Sequence, residues 1–189
     1  LSDLGGGVYM TAGTVMNCIV TNGLAQYGGG IYLLGGTVTN CTVTKCTASD
    51  QGGGGIWMTN GLVTACDILG NICVRAASGV YMSGGELRGC RVRGNSGGWG
   101  AAVYGTGTGT IRNCLITGNA GGSYDPIGGG GGIYMNHAAA RVENCTVAGN
   151  AALTYGGGIK LVAGTVTNCI VYYNSAVTGG NDFYISGAT

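Results

Sequence analysis

The chain of 189 residues holds 43 glycines, one proline and one phenylalanine, and charged residues make up 8% of it, with a net charge of +1. So small a charge excludes a strong electrostatic hold on nucleic acid or anionic membrane. No apolar run approaches the ~20 residues that cross a bilayer. Glycine without a three-residue period excludes collagen, and aliphatic residues recurring at fixed places exclude disorder. Low charge with a mean hydropathy of +0.30 leaves weak colloidal repulsion and favours self-association. No initiator Met and no leader precede Leu1, which reads as the start of a processed or excised piece.

The first unit is "GGGVYMTAGTVMNCIVTNG", residues 5 to 23, and its near copy "GGGIYLLGGTVTNCTVTKC" occupies 28 to 46. Apolar residues alternate with a period of two, the mark of strands. Val8 and Met10 oppose Tyr9, Val15 opposes its neighbours, and Cys18 faces with Val20. Aligned on Cys18, Cys41, Cys66, Cys90, Cys114, Cys145 and Cys169, the units follow at intervals of 23, 25, 24, 24, 31 and 24 residues. The last begins "GGGIKLVAGTVTNCIVYYN", and "NDFYISGAT" after it reads as one more strand.

Three short strands per ~24 residues, with Gly or Asn at the corners and no helical periodicity, predict an all-β parallel β-helix of about seven coils. Residues 1–189 form a single solenoid in this reading. A coil cannot bury its inner face alone, so neighbours supply the core. Seven coils at ~4.8 Å give a rod of about 34 Å.

Stacking turns each repeated position into a column along the rod. The inner columns run from Val8, Met10, Val15 and Val20 to Ile159, Leu161, Val166 and Val171. The cysteines form a fifth inner column, as small polarizable hydrophobes at a tight corner. Asn17, Asn40, Asn113, Asn144 and Asn168 precede them at an inner corner where the chain bends. Asn tolerates the left-handed conformation there, and stacked amides can bond along the axis. Ala65 and Gly89 interrupt that column.

"GGGIY", a valine strand and then "TGN" or "AGN" resemble the GGAI and FxxN repeats of polymorphic outer-membrane proteins. The same pattern looks like autotransporter passengers and other pectin-lyase-like β-helices. The likeness spans residues 5 to about 175, with Val, Ile or Leu where FxxN repeats carry Phe. It implies right-handed winding and an extracellular or cell-surface setting.

Pectate-lyase-like chemistry needs clustered carboxylates or a Ca²⁺ site with a basic partner. Asp3, Asp50, Asp67, Glu86, Asp125, Glu143 and Asp182 share no column on adjacent coils, so no catalytic pair is expected. His137, the sole histidine, falls in an inserted loop "NHAAAR". Cysteines ~24 residues apart fit no zinc motif, and "GTGTGT" lacks the GK[ST] of a phosphate loop. No cofactor and no metal are expected.

Buried thiols are favoured over disulfides along the column, since parallel stacked side chains give poor dihedrals. Cys46 and Cys73 lie off it, close enough in register for a bridge to stay open. Arg88, Arg91, Arg93 and Arg112 form a basic cluster, with Arg91 set beside Asp67 and Arg112 beside Glu143. The sequons at Asn40 and Asn144 fall on the corner column, which argues against their glycosylation. The irregular stretch 118–129 is either a binding rim or a tolerated insertion.

Tyr9, Tyr32, Trp57, Tyr81, Tyr104 and Tyr134 form an outward aromatic column that ends at Lys160. It either stacks on itself or offers a continuous apolar stripe to a partner or to sugar rings. Together these features lead to a non-catalytic structural or adhesive solenoid, fibre-forming by head-to-tail stacking or carried as a stalk between flanking repeats. The alternative is a carbohydrate-binding or polysaccharide-processing β-helix, with surface polysaccharide as its partner and its active residues outside this segment.

Overall fold

The computed structural model describes residues 2–98, 102–122 and 129–187. Every described strand pairs in parallel with its counterpart one unit away, so the chain winds as a β-solenoid of about seven turns with no helix among the described residues. The cause is visible in any one unit. Most strands have only two to six residues, too short to fold alone, and their inner positions are apolar.

The strands collect into three parallel sheets. One sheet takes two strands from each coil: an aromatic wall beginning at Val8–Met10 and a threonine wall beginning at Thr14–Met16. A second holds the strands that follow the cysteines, beginning at Ile19–Thr21. The third is an eight-stranded wall of small inner residues, beginning at Ser2–Leu4 and Leu24–Tyr27. Each coil thus carries a fourth short strand that alternating hydrophobicity does not reveal.

The core columns keep their register from coil to coil. Ile31 pairs with Ile56, and Ile56 with Val80. Val38, Val63 and Leu87 stack likewise, as do Val43, Ile68 and Val92. These side chains are fully buried and form one continuous core.

Glycine triplets turn the corner from the small-residue wall into the aromatic wall. Gly28 has φ +62°, which L side chains rarely adopt. A Cβ on Gly30 would meet the Gly55 carbonyl oxygen at 2.6 Å. The first glycine bends the chain and the third lets two coils approach.

The insertion around His137 is not a loop. Ile133–Glu143 is one eleven-residue strand that crosses from the aromatic wall to the threonine wall, joined by register shifts at Asn136 to Ile159–Thr167. Asn136 pairs with Ala163 and Arg141 with Thr165 on either side of the shift, so the inserted residues bulge within a continuous wall instead of leaving it. Phe183–Ile185 pairs with Ile159–Leu161, as the pattern of "NDFYIS" predicts.

Candidate functional site

The five cysteine-preceding asparagines sit at corners, and all have positive φ, from 49° at Asn40 to 56° at Asn17. Ala65 and Gly89 take the same conformation at φ 52° and 60°. Their side chains point outward, not inward as expected: Asn17, Asn40, Asn113 and Asn144 are exposed. Burial therefore does not shield Asn40 and Asn144 from glycosylation, contrary to expectation. The Asn40 side chain still donates to Asn17 Oδ1 at 2.8 Å.

The buried amides belong to a different set. Asn71, Asn95, Asn119, Asn150 and Asn174 lie in the core at the next corner. Each Nδ2 donates to the Oδ1 one coil on: Asn71 to Asn95 at 3.0 Å, Asn95 to Asn119 at 3.0 Å, Asn119 to Asn150 at 2.8 Å, Asn150 to Asn174 at 3.0 Å. The second Nδ2 hydrogen reaches a backbone carbonyl, as from Asn119 to Val92. Each Oδ1 also accepts a backbone N–H, as from Asn95 to Asn119. All polar atoms of these side chains are satisfied, the condition for burying amides without penalty.

Of the seven column cysteines, Cys41, Cys66, Cys90, Cys114 and Cys145 are buried, Cys169 is half-buried and Cys18 is exposed. All nine cysteines of the chain are free thiols. Each column sulfur donates to the carbonyl two residues before it, as Cys41 does to Thr39 at 3.1 Å. Backbone N–H groups of one coil point at the sulfur of the next: Cys18 to Cys41 at 3.4 Å, Cys66 to Cys90 at 3.4 Å, Cys114 to Cys145 at 3.5 Å.

Cys46 and Cys73 do not bridge. Cys46 stands where later coils place Asn71, its N–H donating to the Asn71 Oδ1. Cys73 lies two residues further along the coil, paired with Ala48, its sulfur directed at the Asp50 carbonyl. Burial pushes the thiols of Cys41, Cys46 and Cys73 up. Within the column, the neighbouring Cys90 thiol draws Cys66 down to about 7, against burial. The neighbouring thiols of Cys145 and Cys90 draw Cys114 down, and Cys114 pushes Cys90 and Cys145 up.

The aromatic column is a stack of near-parallel rings. Centroids lie 5.6 Å apart for Tyr9–Tyr32, 6.0 Å for Tyr32–Trp57, 3.8 Å for Trp57–Tyr81, 5.7 Å for Tyr81–Tyr104 and 4.6 Å for Tyr104–Tyr134. Its exposure is not continuous. Tyr9 is 52% exposed, Tyr104 only 8%. Tyr27, from the small-residue wall, sets its ring edge against Trp57. Lys160 continues the column at 3% exposure, its ammonium 5.3 Å from the Tyr134 ring, 5.9 Å from Tyr155 and 5.8 Å from Tyr184.

The carboxylates act as clips between coils. Arg91 forms a bidentate pair with Asp67, and Arg75 meets Asp50 at 3.1 Å. Arg112 stands in register with Glu143 but bonds Glu86, a coil earlier, because its side chain leans across the wall. Asp3 accepts from Gln26, and Asp182 accepts from Asn174. Arg93, Arg91, Leu69 and Leu115 line a shallow outer hollow of about 290 Å³. Asp125 and the rest of residues 123–128, half of the 118–129 stretch, lie outside the described residues.

A family model described as "Right handed beta helix region" matches residues 2–131. No curated protein and no solved structure matches the chain.

Proposed function

The chain belongs to the right-handed β-helix family, whose fold gains length coil by coil, and from that premise we propose that it serves as a non-catalytic structural rod joined end to end to further coils. The observation that carries this reading is the gradient of burial along the axis. Val38, Val63, Ile68 and Val92 are fully buried, whereas Val8, Val15, Val166 and Val171 of the outer coils are half-buried against the same core. Another coil laid on either face would complete their burial, at about 25 cal/mol per Å² of apolar surface removed from water.

The proposed partner is a second copy, stacked head to tail. Such a contact is heterologous and does not close, so it propagates. The engaged carboxylates support the absence of catalysis, since Asp50, Asp67 and Glu86 each hold an arginine that joins two coils. The proposed setting, the cell surface or the extracellular space, rests on the likeness of the repeats to surface-exposed β-helices.

Electron microscopy of the purified protein at rising concentration tests the proposal. Filaments with an unbroken axial repeat of ~4.8 Å would support it. Rods of about 34 Å that never lengthen would overturn self-assembly and leave a stalk between flanking repeats. Saturable binding to a polysaccharide by such rods would support the alternative of a carbohydrate-binding solenoid.

A further inference from the structure

We propose that the cysteine column is a binding site for soft divalent cations of two-coordinate preference, mercury(II) above all, each held between the thiols of two adjacent coils. The seven cysteines from Cys18 to Cys169 take one place in seven successive coils. The strands that follow them pair in register, Thr42 on Ile19, Asp67 on Thr42 and Arg91 on Asp67. Successive sulfurs therefore repeat with the strand spacing of about 4.8 Å. Two metal–thiolate bonds of about 2.3 Å placed in line span about 4.6 Å. A cation midway between neighbouring sulfurs thus reaches both while the coils shift by only a few tenths of an ångström.

The number of ligands selects the metal. Among the described residues no three His, Cys, Asp or Glu side chains converge, which leaves no tetrahedral site for zinc. Thiolates favour soft cations. Charge then decides between mercury(II) and copper(I). Two thiols and one divalent cation give a neutral bis-thiolate, with two protons released to solvent and no change of oxidation state. Two thiols and one copper(I) give an anion, which the surrounding valines cannot solvate. The weak S–H···O contacts, such as Cys41 to Thr39, are given up on binding.

The column also has entrances. Cys18 is exposed at one end and Cys169 half-buried at the other, while the five thiols between are buried. Seven thiols make three adjacent pairs with one left over.

The test is titration of the full, reduced chain with mercury(II) chloride under argon, followed by thiolate-to-metal absorption and X-ray absorption. About three ions per chain are expected, each with two sulfurs at about 2.3 Å, and a rise in melting temperature as they bind. Zinc(II) should give none of these signals. Cys46→Ala/Cys73→Ala should keep the full stoichiometry. Cys41→Ser/Cys90→Ser/Cys145→Ser leaves no two neighbours in the column and should lose the two-sulfur signature. If that variant fails to fold, Cys90→Ser alone splits the column into two runs of three and should lose one ion per chain, whereas Cys114→Ser, which leaves three adjacent pairs, should lose none. Uptake of a single ion at Cys18, four-sulfur coordination, or full uptake by the triple variant would each overturn the proposal. Filament formation is read separately by microscopy, so a failed titration leaves the structural reading standing.

Discussion

Asn174 gives both its backbone N–H and its side-chain Nδ2 to one oxygen of Asp182, at 3.1 and 3.0 Å. The carboxylate lies only eight residues on, in the turn that opens the next coil, yet it fills the place that a sixth asparagine would take. It is an acceptor without a donor of its own, so the amide chain stops there. Asp182→Ala should cost about 1–3 kcal/mol, because two buried donors lose their acceptor. Asp182→Asn keeps an oxygen in place and should cost less than about 1 kcal/mol. Urea unfolding of the two variants checks the order, and equal losses would refute it.

The inner and outer asparagines predict opposite sensitivities. Asn119→Ala strands the N–H and Nδ2 of Asn95 in the core and should cost about 3 kcal/mol. Asn113→Gly removes an exposed side chain where φ is 55° and should change stability by less than about 0.5 kcal/mol. Thermal melts of both variants, run side by side, decide the matter.

Two glycines make a similar pair. A Cβ on Gly55 would stand 2.8 Å from the Gly79 oxygen and 3.0 Å from Asn71 Nδ2, so Gly55→Ala should cost about 2 kcal/mol. A Cβ on Gly89 meets nothing within 4 Å, at φ +60°. Gly89→Asn restores the residue most coils use at that corner and should be neutral or stabilising by about 0.5 kcal/mol. Chemical denaturation midpoints should separate the two substitutions clearly.

Alkaline conditions should weaken the fold through its off-column thiols. Burial raises Cys46 and Cys73 above the ordinary thiol value of 9.0. The folded state then holds those protons more tightly than the unfolded chain does. Their contribution is complete below pH 9.0 and is lost as pH climbs from there through the raised values. Cys46→Ala/Cys73→Ala should show a shallower loss of stability between about pH 8 and pH 11 than the parent chain. Parallel slopes under reducing conditions would count against this account.

The solenoid and its register were legible because Val, Ile and Leu alternate in and out at each repeat, and Cys18 to Cys169 fix the phase. The fourth strand of each coil was not. Its inner positions are Ala25, Ala48, Cys73, Gly97 and Ala152, which are too small to give a hydrophobic alternation. The asparagines were misassigned for a geometric reason. Asn40 and Asn71 both stand beside a tight bend, but one residue of offset along the chain decides whether an amide faces the core or water. A signal existed: Asn71, Asn95, Asn119, Asn150 and Asn174 recur at 24, 24, 31 and 24 residues, the cadence of the cysteines. The aromatic column was legible in its membership and not in its exposure, since Tyr27 and its edge contact with Trp57 belong to the unseen wall.

The buried amides give the rod a sense of direction. In the parallel walls, backbone N–H groups point alternately up and down the axis, as Ile31 to Gly55 and Leu34 to Met10 show, so their dipoles largely cancel. The side-chain carbonyls of Asn71, Asn95, Asn119, Asn150 and Asn174 all point the same way, each Oδ1 accepting from the coil before. One Nδ2 hydrogen of each donates toward later residues, and the other returns to a backbone carbonyl. Five aligned amide dipoles therefore add, with the positive pole at Asn174, where the carboxylate of Asp182 sits. It is the arrangement by which an anion settles at the N-terminus of an α-helix, achieved in an all-β fold by side chains alone. Two such rods meeting end to end would present opposite poles to each other, and meeting head to head would present like ones.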